Sequence, residues 1–211
     1  MSGPTALRPR PVNLRPLVPG CAPGPGPMFR SAAVLATSPE GVGAELASLP
    51  AGRYLDLRTE REVRRDGPPD GLLSLGWRWV RFPIDDTGNA YGTVRMLERT
   101  RQAARLAWAG GRAGPLVVAC SLGKDRTGRV AAVVQHWYGL PAAALVADYL
   151  YSNVELTRSR DELPERWRAP GAVTEAHEPD LGRLLDLLRN DSTWAAPSTA
   201  AGQHGSMKTD E

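Results

Sequence analysis

The chain has 211 residues, of which 42% are hydrophobic, and its formal net charge is +3. This length is sufficient for one domain with a hydrophobic core, but it is short for two full domains. The positive charge comes mostly from arginines scattered among acidic residues, so no basic stripe indicates a nucleic-acid partner. No segment approaches the roughly 18 apolar residues that cross a bilayer, and the N-terminus has no apolar signal core. We therefore expect a cytoplasmic protein without a transmembrane segment.

The cysteines and histidines do not form the pattern of a disulfide framework or of a metal site. Cys21 lies in a Pro/Gly-rich stretch and Cys120 lies far from it in the sequence, so we expect reduced thiols. The three histidines, His136, His177 and His204, have no ligand spacing with each other or with the cysteines. The sequence therefore predicts neither a bound metal nor a cofactor.

The two ends of the chain differ in composition from its middle. Residues 1–27 are dense in proline and glycine, and residues 190–211 have no apolar periodicity. We expect both ends to be extended or disordered, with one folded domain at 28–189. The first half of that domain predicts a short helix at 40–49, a strand RYLDL at 53–57, a strand WRWVRFPI at 77–84 and a helix at 93–110.

In the second half of the domain, a predicted strand is again followed by predicted helices. PLVVAC, at 115–120, is an apolar run typical of a fully buried strand. A helix is predicted to start near Thr127 or Gly128, and further helices are predicted at 141–153 and around the leucines at 181–188. Strands that alternate with helices predict a single α/β domain, with a central, mostly parallel sheet flanked by helices.

A polar loop, CSLGKDRTG, follows the predicted buried strand and precedes the next helix. We call residues 120–127 the cysteine loop. The carboxyl end of a strand in an α/β sheet is where such proteins usually bind ligands. Successive backbone N–H groups and the start of a helix can bind an anion there, and Gly123 and Gly128 allow a tight turn. Because a guanidinium can hold two oxygens of a phosphoryl group, Arg126 completes a predicted phosphate site.

Cys120 lies at the start of this predicted anion site. Helix N-termini and nearby cations favour the thiolate form of a cysteine, which is the nucleophilic form. A thiolate beside a bound phosphoryl group can displace its ester oxygen and form a cysteinyl-phosphate, which water then hydrolyses. Each displacement needs a proton carrier, and Asp125 is the nearest candidate. Asp85 or Asp86, after the predicted strand at 77–84, could serve instead if that segment swings towards the loop.

The cysteine loop resembles the H-C-x-x-G-K-D-R-[ST]-G motif of the bacterial tyrosine phosphatase family, which includes dual-specificity and phosphoinositide-acting members. Other segments resemble the family in the same order, from residue 12 to about residue 155: VNLRPL, MFRSAAV, YLDLRTEREV, RFPIDD and LVADYLYSN. The resemblance implies a cysteine-phosphatase fold, with 28–189 as the catalytic domain. It also implies a metal-independent hydrolase acting on a phosphorylated protein or on a small-molecule phosphate ester.

Site residues are implied by the same resemblance. Cys120 is the nucleophile, Arg126 binds phosphate, and the amides from Ser121 to Arg126, including Leu122 and Gly123, surround the transition state. Lys124 and Asp125 form a pair on the substrate side, with Asp125 as general acid, and Thr127 stabilises the departing sulfur. Asp56 and Arg58 either brace the site or form a surface ion pair with Glu60 or Glu62.

One position departs from the family pattern. Ala119 stands where relatives have histidine, which would make catalysis slower or shift it to higher pH. A weakly active phosphate-binding module is therefore a second hypothesis. Sulfur transfer of the rhodanese kind is a third, although it gives no role to Asp125 or to the arginine.

Overall fold

The computed structural model describes residues 10–18, 26–85 and 93–197. Five strands form one sheet in the order β1-β2-β5-β3-β4. The strands β2, β5, β3 and β4 are parallel to one another, and β1 pairs with β2 in the antiparallel direction at one edge. The strands are β1 Arg15–Pro16, β2 Met28–Ala32, β3 Arg53–Asp56, β4 Arg78–Arg81 and β5 Leu116–Cys120.

Helices cover both faces of this sheet. One core packs against α4 and α5 and contains Val118 and Cys120, whereas the other packs beside α1 and α3 and contains Val117 and Ala119. Successive residues of β5 therefore face opposite layers, and the whole strand is buried. The α-helices are α1 Ala44–Ala47, α2 Glu60–Asp66, α3 Asp70–Ser74, α4 Val94–Gly111, α5 Asp125–Trp137, α6 Ala142–Arg158, α7 Glu165–Arg168 and α8 Gly182–Asn190.

The α/β fold with a mostly parallel central sheet is confirmed, and several predicted boundaries are wrong. The predicted helix at 40–49 is interrupted at Gly43, whose φ of 89° is unfavourable for other residues. The predicted strand at 77–84 ends at Arg81, just before the proline at 83. The helix expected from Thr127 or Gly128 begins at Asp125, so Asp125 and Arg126 lie in its first turn.

Parts of both chain ends have secondary structure within the described residues, and the expectation of extended or disordered ends stays a prediction for the rest. Residues 15–16 form the edge strand β1, paired with β2. Near the other end, Ser192–Trp194 is a 3-10 turn, and the Trp137 indole N–H donates to the Trp194 carbonyl at 2.7 Å. Burial of Trp194 against the core explains this order. The remainder of both predicted ends, including Cys21, lies outside the described residues.

Within residues 10–18, 26–85 and 93–197, no helix has both the length and the apolar character needed to cross a membrane.

Candidate active site

The cysteine loop connects the end of β5 to the start of α5. Cys120 is the last residue of β5, pairs with Ala32 of β2 and is buried. Gly123 has a φ of 66°, and a Cβ there would lie 2.3 Å from the Ser31 carbonyl carbon. Both the left-handed backbone and the close approach to β2 therefore require glycine at this position.

Side chains on the sheet side of the loop bind three of its consecutive carbonyls. The Asn13 amide donates to Leu122 O at 3.0 Å. Arg30 Nη2 donates to Gly123 O at 2.8 Å and to Lys124 O at 3.3 Å. In a trans peptide the C=O and the following N–H point in opposite directions. Fixing these carbonyls therefore orients the next amides away from Asn13 and Arg30, as an anion-binding loop requires.

A buried charge cluster supports Arg30. The Asp148 carboxylate accepts hydrogen bonds from both Arg15 and Arg30, and both arginines also donate to the Ser152 hydroxyl. Burial favours the neutral acid, but the charges of Arg30 and Arg15 hold the pKa of Asp148 below its usual value. The motif segments around residues 12–17, 28–34 and 145–153 thus meet behind the cysteine loop. The motifs in the sequence identify these segments but do not indicate this structural role.

Arg126 is held by a carboxylate from α2. Its Nη1 and Nη2 donate to the two oxygens of Glu62 at 2.8 and 2.6 Å. The Nη1 also donates to the carbonyls of Leu57 and Ile84 at 3.3 and 3.1 Å. This pairing fixes the plane of the guanidinium before any ligand binds, which lowers the entropy cost of two-point phosphate recognition.

Glu62 has further partners that fix its own position. It closes a capping box with Thr59 at the start of α2, and it accepts from the Ser121 hydroxyl at 2.5 Å. Burial opposes its ionisation, but hydrogen bonds and charge from Arg126, with the Ser121 hydroxyl, hold the pKa of Glu62 well below its usual range. The sequence alone suggests Glu62 only as a surface partner of Arg58. The spacing Thr59-x-x-Glu62 signals the helix cap, but nothing local signals the contact with Arg126.

Asp56 and Arg58 form a fully buried ion pair, with Arg58 Nη2 2.8 Å from Asp56 Oδ2. The Trp79 indole N–H donates to Asp56, and Arg58 also donates to the Gly67 carbonyl. The surface pairing of Arg58 with Glu60 or Glu62 is wrong, because Glu60 instead binds Arg81. The buried pair fixes the segment that leads from β3 into α2, the helix from which Glu62 reaches Arg126.

Lys124 and Asp125 lie together at the start of α5. The Lys124 ammonium donates to the Thr174 carbonyl and lies 3.4 Å from Asp125 Oδ2. Asp125 Oδ1 accepts from the Tyr149 hydroxyl at 3.2 Å. The Asp125 side chain remains 25% exposed, so it is accessible from outside the loop.

Thr127 and Asp85 complete the described set of predicted residues. Thr127 is buried, and its Oγ1 has no hydrogen-bond partner within the described part of the chain. Asp85 is 65% exposed, and its Oδ2 lies 4.0 Å from Nη2 of the still more exposed Arg95. Because Arg126 binds the carbonyl of the preceding Ile84, the backbone at Asp85 adjoins the site. Asp86 lies outside the described residues.

A pocket of about 290 Å³ borders Ser121 at this edge of the sheet. Its walls are mostly apolar, and the guanidinium-bearing residues Arg10 and Arg168 and the carboxylate of Glu162 also line it. Across residues 10–18, 26–85 and 93–197, three or more His, Cys, Asp or Glu side chains nowhere gather into a possible metal site. The arrangement therefore offers a thiol, oriented amides, a fixed guanidinium and a carboxyl group to an anionic ester.

Comparison with known proteins places these residues in a family context. The sequence profile of the tyrosine phosphatase family matches residues 24–209. The triple specificity protein phosphatase PtpB of Mycobacterium tuberculosis is 30% identical over 188 residues, which cover 67% of this chain and 66% of PtpB. The chain thus spans slightly less than two thirds of that curated relative.

Two solved structures are also similar to the chain. TpbA of P. aeruginosa is 18% identical, with a TM-score of 0.49 and coverage of 84% of each chain. Kinase associated phosphatase is 13% identical, with a TM-score of 0.45, covering 72% of this chain and 96% of that one.

Proposed function

The chain belongs to the tyrosine phosphatase family, and we propose that it hydrolyses phosphate monoesters through a cysteinyl-phosphate on Cys120 without a metal ion. The observation that carries this proposal is the preset cysteine loop. Its carbonyls are bound from behind by Asn13 and Arg30, and its arginine is fixed by Glu62. Such groups can stabilise a transition state without reorganising during the reaction.

In the first step, the Cys120 thiolate forms the S–P bond while the P–O bond to the leaving group breaks. The loop amides and Arg126 stabilise the negative charge on the three non-bridging oxygens. Asp125 transfers its proton to the leaving oxygen. Since Ala119 replaces the histidine of relatives, the loop amides, the start of α5 and Arg126 carry the stabilisation of the thiolate.

In the second step, water forms a new P–O bond and the S–P bond breaks. The Asp125 carboxylate now accepts a proton from the water, and phosphate leaves with two electrons returned to sulfur as thiolate. To Thr127, whose buried hydroxyl has no partner within the described part of the chain, we assign the hydrogen bond that stabilises this departing sulfur. The enzyme returns to its starting state without a co-reactant.

The metal-independent reaction is tested by removing metals from the parent protein. Hydrolysis of nitrophenyl phosphate and of a phosphotyrosine peptide should proceed unchanged in EDTA, because Cys120 and Arg126 supply the nucleophile and the charge. Orthovanadate should inhibit, since it occupies an oxyanion site. Loss of activity in EDTA, restored by a divalent metal, would replace this mechanism with a metallophosphatase.

We assign the general acid to Asp125 because the same short loop carries both Cys120 and Asp125 and so restricts the distance between them. We expect Asp125→Asn to lower kcat/KM for phosphotyrosine by about 10²-fold or more, and to affect nitrophenyl phosphate much less. The reason is that a poor leaving group needs the proton most. Initial rates on both esters measure this difference.

Asp85→Asn provides the matched control, since it makes the same change at the competing, more exposed carboxylate. It should leave the ratio of the two kcat/KM values near that of the parent. If Asp85→Asn lowers kcat/KM selectively for phosphotyrosine and Asp125→Asn does not, the proton transfer is assigned to Asp85 instead.

For the substrate, we favour aryl phosphates such as phosphotyrosine in proteins. The pocket beside Ser121 offers mostly apolar walls and two arginines, which suits an aromatic ring and acidic neighbours, and the curated relative is a protein phosphatase. A phosphorylated sugar, nucleoside or inositol would find fewer polar partners along those walls. A screen of phosphopeptides against these metabolites decides between them.

The family and the need for a reduced thiol at Cys120 also support a bacterial, cytoplasmic enzyme.

A further inference from the structure

We propose that Tyr149 is a positioning residue for the proton transfer, because it engages one oxygen of Asp125 and leaves the other to exchange the proton with substrate and water. This inference rests on the proposed function. Its basis is a hydrogen bond between α6 and the first turn of α5. The Tyr149 hydroxyl donates to Asp125 Oδ1 at 3.2 Å.

The position of the Tyr149 ring is fixed by packing. Tyr149 is 1% exposed and belongs to the core beneath α5. Its ring lies so close to Gly128 that a Cβ there would be 2.6 Å from the ring carbon Cδ2. Gly128 therefore allows the tyrosine to approach α5, and the surrounding core prevents it from turning away.

The hydroxyl is suited to act as a permanent donor. Burial and the neighbouring Asp125 carboxylate raise the pKa of Tyr149 above its usual range, so the phenol keeps its proton at any working pH. A buried hydroxyl also strongly prefers to keep a hydrogen-bond partner. Tyr149 should therefore hold Oδ1 throughout the catalytic cycle.

The two oxygens of Asp125 are consequently not equivalent. Oδ1 accepts the hydrogen bond from the Tyr149 hydroxyl. Oδ2 lies 3.4 Å from the Lys124 Nζ, and that ammonium already donates to the Thr174 carbonyl. A carboxyl proton on Oδ2 leaves Oδ1 as the acceptor for Tyr149. In the first step the Oδ2–H bond breaks as the leaving oxygen gains the proton, and in the second step Oδ2 takes a proton from water.

The test compares Tyr149→Phe with the parent protein on two aryl esters. Removing the hydroxyl keeps the ring and its packing, so the fold and the loop should survive. We expect kcat/KM for a phosphotyrosine peptide to fall about tenfold or more, because a hydrogen bond to a charged group contributes at least that factor, and kcat/KM for nitrophenyl phosphate to change by less than about threefold. Inhibition by orthovanadate should be unchanged.

Tyr151→Phe is the matched control, because it makes the same change on the same helix at a side chain that is 41% exposed. It should keep the parent rates on both esters. The double variant Tyr149→Phe/Asp125→Asn should be no slower on phosphotyrosine than Asp125→Asn alone, since Tyr149 acts through Asp125.

Three results would overturn the inference alone. They are an equal loss on both esters, a matching loss of orthovanadate affinity, and a further tenfold loss when Tyr149→Phe is added to Asp125→Asn. Each would mean that the tyrosine supports the loop as a whole. A parent protein without phosphatase activity would instead refute the proposed function, and the inference with it.

Discussion

Replacing Cys120 with serine should lower turnover by at least about three orders of magnitude, while the fold and the binding of tungstate persist. The serine hydroxyl does not ionise near neutral pH, so the nucleophile is lost. The other groups of the site remain, because Arg126 is held by Glu62 and the loop carbonyls by Asn13 and Arg30. Steady-state hydrolysis measures the loss, and calorimetry with tungstate measures the retained site.

Steady hydrolysis by Cys120→Ser within tenfold of the parent would exclude a cysteine nucleophile. Loss of tungstate binding together with turnover would mean that the buried thiol holds the loop in shape. A parent protein that binds tungstate but does not turn over would correspond to the phosphate-binding module that Ala119 suggested.

Arg126→Lys should lower kcat/KM nearly as much as Arg126→Ala, by about two to three orders of magnitude. Lysine keeps the charge but cannot donate in parallel to both Glu62 oxygens and still present a flat, two-point donor to phosphate. The matched control is Arg189→Lys on α8, an exposed position away from the loop, which should keep the parent rate.

The two Arg126 variants should differ in stability even where they agree in rate. Arg126→Ala leaves the buried Glu62 carboxylate without its main partner. Removing one member of a buried ion pair lowers the free energy of unfolding by about 3 to 5 kcal/mol. Arg126→Lys keeps a positive charge beside Glu62, so its unfolding temperature should be higher than that of Arg126→Ala. Near-parental rates in Arg126→Lys would mean that charge alone is sufficient at this position.

The sequence predicted β3, β4, β5 and the cysteine loop because these depend on local patterns, whereas no apolar pattern predicted β1 or β2. PLVVAC is uniformly apolar, and the Cys-Arg spacing with two glycines occurs within nine residues. The family resemblance inferred from the loop and its flanking segments is confirmed by the match to residues 24–209. Boundaries were less accurate, because the start of α5 at Asp125 depends on the turn of the loop and not on apolar periodicity.

The supporting contacts could not be predicted from the sequence, since they join distant segments. Glu62 and Arg126 are 64 residues apart, and Arg30 and Asp148 are 118 apart. Nothing in the local pattern of either partner distinguishes a buried pair from a solvated charge. Arg58 shows the difficulty, because its sequence context allows a surface ion pair, whereas in the structure it pairs with Asp56 in the interior.

Trapping the covalent intermediate tests the central claim most directly. The parent protein is mixed with a ³²P-labelled aryl phosphate, quenched with acid within the first turnover, digested and mapped by mass spectrometry. The proposed mechanism predicts a phosphoryl group on Cys120, absent from Cys120→Ser and more abundant when hydrolysis of the intermediate is slowed by Asp125→Asn. If the parent protein hydrolyses the ester but carries no label on Cys120, or carries the label on another residue, the mechanism is contradicted.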